Sequence, residues 1–351
     1  MSEIRGKNFL ITGGSGFLGV NLVRYLLEKE ANITILDIVP FDYSDVTDNV
    51  NIIIEDIRNL ESLKNKIDNI DFIVHTAAAL PLYSKEDIYT TDIFGTRNIL
   101  DLALYLDVDR FIHISSTAVY GIPDHHPIFE FDRLSGVGPY GKSKIIAERL
   151  CTEYREKGLC VSILRPKSFI GPERLGVFAI YFDWIRSGRS IPIVGSGQNL
   201  YQLLDVEDLC NAIFLCVVKD KERVNDIFNI GAKEFGTMAE DFGSVINYAG
   251  HDKKIIATPA NLVIFFLRSL ELLKLSPLYK WVYETAAEDS FVSIEKAENI
   301  LDFKPKYSNK DSLIRTYEWY LSNFEEYKDK TGVSHRVPWK EGILSLLKRF
   351  F

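Results

Sequence analysis

The chain has 351 residues, 46% hydrophobic and 26% charged, with a net charge of −8. That balance predicts an ordinary soluble globular protein with enough apolar residues for one large α/β domain and a smaller one. The acidic total, without a basic stripe or interleaved aromatic and basic residues, excludes nucleic acid as the expected partner.

The four cysteines, Cys151, Cys160, Cys210 and Cys216, are scattered with no C-x-x-C pair. They read as free thiols of a reducing cytoplasm, and no metal site is expected. No signal-peptide pattern precedes the first strand. The most apolar run, Asn261 to Leu275, is broken by Arg268 and Glu271 and is too short to span a bilayer.

In chain order, short apolar runs alternate with segments of helical period. Lys7–Thr12, Asn32–Leu36, Asn51–Ile54, Asp71–His75, Arg110–Ser115, Cys160–Arg165 and Asp226–Ile230 read as buried strands. Gly16–Lys29, Asp92–Tyr105 and Tyr140–Glu156 read as helices between them. This alternation predicts an α/β fold, a Rossmann-type doubly wound parallel sheet. After Pro172 the pattern loosens into turns and isolated helices. The expected division is a cofactor domain over 1–171, to which 201–231 returns, and a smaller C-terminal substrate lobe from 172–200 and 232–351.

Thr12-Gly13-Gly14-Ser15-Gly16-Phe17-Leu18-Gly19 follows the first strand and opens the first helix. Gly13, Gly16 and Gly19 allow a tight turn, a close approach to a pyrophosphate, and helix packing on the sheet. The helix N-terminus then faces the phosphates. Asp37 closes the second strand, where a carboxylate accepts from the adenosine ribose hydroxyls and repels a 2′-phosphate. No arginine follows it, so NAD is expected over NADP. The plain alternative for each is a structural turn or a solvated aspartate.

Tyr140-Gly-Lys-Ser-Lys144 places a phenol and an ammonium one helical turn apart on one face. Lys144 is expected to favour the phenolate and make Tyr140 a usable acid/base. Ser116 would bond the same substrate oxygen. The trio suits moving a proton on and off a secondary alcohol while a cofactor takes the hydride. His75, at a strand end, reads as a packed histidine without chemistry.

With these residues in place, the chain resembles the extended short-chain dehydrogenase/reductases, the NAD-dependent epimerase/dehydratase family, over about residues 5–320. The likeness rests on Gly13–Gly19, Asp37, Asp56-Ile57-Arg58, His75-Thr76-Ala77-Ala78, Gly95-Thr96, Ser115-Ser116…Val119-Tyr120-Gly121, Tyr140-x-x-x-Lys144 and Arg165-Pro166…Gly171-Pro172. The resemblance implies Asp56 and Ile57 at the adenine, and Ala77, Ala78 and Ala79 along the phosphates and ribose. It also implies Phe17, Leu18 and Ser115 in the cofactor site, Lys144 on the nicotinamide ribose, Pro166 near the nicotinamide, and a homodimer built on helices 92–106 and 140–157. One departure is Asp92, where the family usually has asparagine.

What the chain lacks narrows the reaction. Sugar-nucleotide 4,6-dehydratases of the family carry Asp-Glu where Thr117 and Ala118 stand, and neither of these titrates usefully. Simple redox at a carbinol remains, as net oxidation/reduction or as 4-epimerisation. Nucleotide-sugar members usually have asparagine at Ser168, arginine near Tyr201 and a second arginine near Ala287–Asp289. A diphosphate wants guanidinium partners, and Arg174 is a candidate replacement. Thr117, Ser168, Arg174 and Tyr201 are therefore the substrate-side candidates.

The expected substrate is a small molecule, a nucleotide-linked or lipid-linked sugar. The first alternative is a sterol or other lipid alcohol, by likeness of the apolar stretch Asn261–Leu275 and Ser276–Trp281 to 3β-hydroxysteroid dehydrogenase-like members. A non-catalytic NAD sensor is the remote alternative. Trp339–Phe351 has an apolar face through Ile343, Leu344, Leu347, Phe350 and Phe351. It reads as a tail docked on its own body or a dimer mate, with a membrane-interface helix as the competing assignment. The expected location is the cytoplasm, with peripheral membrane contact left open.

Overall fold

The structure is a computed structural model that describes residues 4–272, 286–330, 332, 337–338 and 348. Ser276–Trp281 and, except for Lys348, the predicted helix Trp339–Phe351 lie outside the described residues.

Seven strands form the main sheet: β1 Asn8–Thr12, β2 Asn32–Asp37, β3 Asn51–Ile54, β4 Phe72–His75, β5 Arg110–Ile114, β6 Val161–Pro166 and, later in the chain, Ile227–Ile230. The last strand pairs with β6, and the sheet runs on through β5, β4, β1 and β2 to β3. Every pairing is parallel. The strands of the centre are buried along their whole length, as a parallel sheet covered on both faces requires. Consecutive residues of β1 feed opposite faces: Phe9 and Ile11 join one core cluster, Leu10 the other.

The expected strands and helices are found within a residue or two of their bounds. The connecting helices are α1 Phe17–Leu27, α2 Leu60–Lys66, α3 Lys85–Tyr89, α4 Thr96–Tyr105 and α5 Gly138–Glu156. One helix differs. The segment expected as Asp92–Tyr105 begins with a π-helical stretch, Thr90–Gly95, before α4. A π-turn adds a residue to the helical ladder, which no side-chain period reveals, and such turns often lie at functional sites.

The elements that remain contribute partly to the main-sheet core and partly to a third core cluster. They are β7 Phe169–Ile170, α6 Val177–Arg186, β8 Ile191–Val194, β9 Leu204–Asp205, α7 Val206–Val218, α8 Lys221–Val224, the seventh sheet strand Ile227–Ile230 (β10), α9 Met238–Tyr248, β11 Ile255–Thr258, α10 Ala260–Leu272, α11 Glu295–Leu301 and α12 Asn309–Tyr327. Two small parallel sheets, β8 with β11 and β7 with β9, were not legible as strands in the sequence. Phe182, Trp184, Val245, Tyr317 and Tyr320 fill the third cluster. Val292, Ile294, Ala297, Leu301 and Phe303 instead join the main-sheet core, so this part of the 232–351 segment packs away from the third cluster.

Candidate active site

The glycine loop turns between β1 and α1. Gly13 has φ +70°, and a Cβ there would lie 2.8 Å from the Ala77 backbone. At Gly19 a Cβ would meet the Gly13 carbonyl oxygen at 2.4 Å, so the helix lies against the loop as only glycine permits. The N-cap, Gly16, gives no side-chain cap to the first N–H groups of α1. Unclaimed helix N–H donors beside a glycine turn are the chemistry that a pyrophosphate needs.

From this loop a cleft of about 1060 Å³ runs along the C-terminal ends of the strands. Gly13, Gly16, Phe17, Leu18, Gly19, Asp37, Asp56, Ile57, Ala77, Ala78, Ser115, Tyr140 and Lys144 all line it. Asp37 accepts from Ser15 N at 2.9 Å and Val39 N at 3.2 Å, which fixes its carboxylate beside the loop. The Asp56 carboxylate is held by the Arg58 guanidinium, with Nη2 at 2.6 Å, and that ion pair keeps its pKa below the usual carboxylate value.

Other candidates are placed differently. Ala79 is buried and its N–H donates to Asp92 Oδ1 at 2.8 Å. The Ser115 hydroxyl turns inward to Glu148. Pro166 is the buried last residue of β6. Arg174 lies buried with its guanidinium near the Phe17 and Phe178 rings, at 5.4 and 5.7 Å. Thr117 is buried in a 3-10 turn, Thr117–Tyr120, that Ser116 caps through Ala118 N. Ser168 and Tyr201 come together, the Ser168 side chain near enough to the Tyr201 hydroxyl to lower its proton affinity against burial.

The proton-handling group is assembled from two elements. Ser116 follows β5, Tyr140 and Lys144 stand on α5, and the Ser116 side chain lies close enough to the Tyr140 hydroxyl to act on its proton affinity. Lys144 Nζ donates to Ile114 O at 3.1 Å and lies 5.8 Å from the centre of the Tyr140 ring. The expected depression of the Tyr140 pKa is not found. Burial pushes its hydroxyl up, the Asp92 carboxylate pushes the same way, and Ser116 opposes them. Lys144 is itself buried. Burial lowers its pKa, against the pull of Asp92 and Glu148.

His75 is neutral and structural. Burial pushes it down to about 3, and its ring nitrogens bond Thr12 Oγ1 at 2.7 Å and Thr96 Oγ1 at 3.0 Å.

Sequence reasoning missed the far wall of the cleft. Trp319, Asn323, Glu326 and Tyr327 of α12 line it, together with Arg24 and Glu173, which pair with each other. The aromatic periodicity of α12 marks a packed helix, but no local pattern says against what it packs.

The profile of the NAD dependent epimerase/dehydratase family matches residues 9–231. The chain belongs to this family. Its cofactor is NAD, and the glycine loop, the open N-terminus of α1 and Asp37 fit that dinucleotide. An uncharacterized protein of Sinorhizobium fredii is 32% identical to this family member over 343 residues, 97% of this chain and 85% of that one. A putative UDP-glucose 4-epimerase of Methanocaldococcus jannaschii is 26% identical, covering 90% of this chain and 98% of its own. The solved structure of an epimerase from Methanothermobacter thermautotrophicus superposes with a TM-score of 0.77 at 25% identity, covering 92% and 94% of the two chains. This epimerase/dehydratase-family protein is thus an enzyme of the extended short-chain dehydrogenase/reductase type. Among its described residues no helix is long and apolar enough to cross a membrane.

Proposed function

We propose that the enzyme moves a hydride at a secondary alcohol of a sugar carried on a nucleoside diphosphate, as a 4-epimerase or a simple oxidoreductase. The observation that carries this reading is the grouping of Ser116, Tyr140 and Lys144, with Tyr140 and Lys144 lining the NAD cleft. Bound NAD supplies the hydride acceptor and donor. Ser116 holds the reacting oxygen, Tyr140 gives it a proton or takes one, and Lys144 sets the charge around both. Gly13, Gly16, Phe17, Leu18 and Gly19 cradle the phosphates, Asp37 takes the ribose hydroxyls, and Asp56 and Ile57 flank the adenine. Thr117 and Ala118 offer no acid/base pair for dehydration, which favours carbinol redox. The similarity to a putative UDP-glucose 4-epimerase supports the choice of substrate class.

The elements around the third core cluster serve as the substrate lobe, and the protein acts in the cytoplasm as a homodimer. Phe94 and Tyr105, 59% and 62% exposed on the π-turn and α4, together with Ile146 of α5, are the apolar surface that such a dimer covers. Lys348 pairs with Asp183 of α6, which supports a tail docked on its own body. A lipid-linked sugar or a lipid alcohol is the second reading, favoured by the exposed Leu262, Phe265 and Phe266 of α10.

Denaturing the purified protein and weighing the released nucleotide is the first test. Stoichiometric retained NAD, with interconversion of UDP-glucose and UDP-galactose, supports epimerisation. NAD that binds only on addition, with NADH accumulating on a sugar nucleotide, supports net oxidation. Turnover of lipid alcohols alone would overturn the sugar reading.

A further inference from the structure

Lys167 directly follows the last residue of β6 and is only 3% exposed. Its Nζ donates to Ser290 Oγ at 2.7 Å and lies 5.5 Å from the centre of the Tyr201 ring. An ammonium carries three donors, and the hydroxyl of Ser290 satisfies one of them. Among the described residues no carboxylate pairs with it, and burial alone acts on its proton affinity, pushing it down to about 7. The contrast with Arg165, two residues earlier, is direct: that guanidinium is equally buried but is paired with Glu148 at 2.6 Å. A buried cation without a counter-charge opposes folding, and neither packing nor an internal ion pair accounts for it.

Three chain segments converge on this ammonium. Lys167 and Ser168 leave the end of β6. Tyr201 ends the turn that starts at Gly195, and its hydroxyl lies near Ser168. Ser290 lies beside Tyr201 through a backbone bridge, with Ser290 N donating to Leu200 O at 2.8 Å. Ser168, Tyr201 and Ser290 are each partly exposed, so they mark the side from which a ligand reaches Nζ. The same three segments are those where an asparagine and two arginines toward a diphosphate were expected from sequence and are missing. Ligands of open α/β sheets bind beyond the C-terminal ends of the strands, and Phe169, two residues past Lys167, lines the NAD cleft.

We propose that Lys167 is the substrate's anion-binding residue: its ammonium holds a phosphate or carboxylate oxygen of the substrate, with the hydroxyls of Ser290 and Ser168 beside it. A lysine ammonium is a compact point charge suited to one oxyanion rather than to the bidentate grip of arginine. The inference rests on the sugar reading above and refines which end of the substrate the protein grips.

Calorimetric titration of the NAD-loaded full chain with four probes tests it: inorganic pyrophosphate, UDP, UDP-glucose and UDP-glucuronate. Lys167→Met removes the charge at similar volume, and Lys167→Gln keeps a donor to Ser290, so a folding defect in one does not end the test. Both variants are expected to retain NAD. A loss of about tenfold or more for pyrophosphate, UDP and both sugar nucleotides identifies the diphosphate as the group held. A similar loss confined to UDP-glucuronate identifies a sugar carboxylate. Wild-type affinities in both variants, or a wild type that binds none of the probes, overturn the proposal. Hydride transfer to the bound cofactor is read separately by its absorbance. Transfer from a sugar nucleotide with unchanged variant affinities overturns this inference alone. Lys167-dependent pyrophosphate binding without transfer from any sugar nucleotide overturns the sugar reading alone.

Discussion

Asp92 Oδ2 accepts a 2.8 Å hydrogen bond from Ser143 Oγ, in the residue immediately before Lys144. Its other oxygen accepts the Ala79 N–H, and the carboxyl is 1% exposed. The π-turn Thr90–Gly95 carries this acid between the segment that follows β4, at Ala79, and α5. Burial raises its own pKa, while Lys144 lowers it. In return Asp92 is the largest of the charges that hold the proton on Lys144 against burial. Asp92→Asn keeps the size and removes that charge, so Lys144 loses its proton at lower pH. The ammonium exists below the lysine pKa, and the alkaline limb of kcat should therefore move to lower pH. A pH–rate profile of the variant checks this. An unmoved limb would mean that Asp92 carries no charge that Lys144 feels.

Tyr140→Phe removes the phenolic hydroxyl that stands beside Ser116 in the cleft. The loss expected for an acid/base group is about 10²–10⁴-fold in turnover. NAD retention should be unchanged, because the glycine loop and Asp37 lie at the other end of the cleft. Single-turnover kinetics together with the mass of released nucleotide separate the two effects. Full activity in this variant would remove Tyr140 from the mechanism.

The sheet was legible because a buried parallel strand is a short apolar run, and β3 (Asn51–Ile54) was read to the residue. The cofactor loop was legible because tight turns and close approaches require glycine at set spacings. The short strands Ile191–Val194 and Ile255–Thr258 pair across more than sixty residues of sequence, and neither alone has a run long enough to signal a strand. The wall that α12 gives the cleft was hidden for a related reason. Its aromatic face announces burial, whereas the docking partner is set by tertiary packing. The proton affinity of Tyr140 was not legible, because i,i+4 spacing reports proximity to Lys144 but not the burial of both groups or the charge of Asp92.

Arg165 and Glu148 form an ion pair that is almost completely enclosed, with side chains 2% and 4% exposed. Arg165 also donates to Tyr120 Oη at 2.7 Å and Glu130 O at 2.9 Å, and Glu148 accepts from Ser115. Arg165→Met leaves Glu148 charged and unpaired in the interior. Chemical denaturation should show a loss of about 3–5 kcal/mol. The double replacement Arg165→Met with Glu148→Leu should recover part of that loss, since no charge is left buried alone. A single variant as stable as the wild type would show that water reaches the pair.

Two glycine-to-alanine replacements should act with opposite signs. At Gly19 a Cβ would lie 2.4 Å from Gly13 O and 2.5 Å from Gly14 Cα, contacts with backbone that cannot yield without opening the cofactor loop. Overpacking of this kind costs about 1–3 kcal/mol, and the displaced loop should weaken NAD binding as well. Gly243 lies within α9, where a Cβ would meet only Ile255 Cγ1 at 3.7 Å, an ordinary contact. Alanine there replaces the most flexible residue of a helix interior and should stabilise the fold by about 0.5–1 kcal/mol. Thermal unfolding with and without added NAD distinguishes the cases. Gly19→Ala should lose both stability and the NAD-dependent rise in melting temperature, whereas Gly243→Ala should gain the first and keep the second. An NAD-dependent rise of wild-type size in Gly19→Ala would show that the loop is not the pyrophosphate cradle.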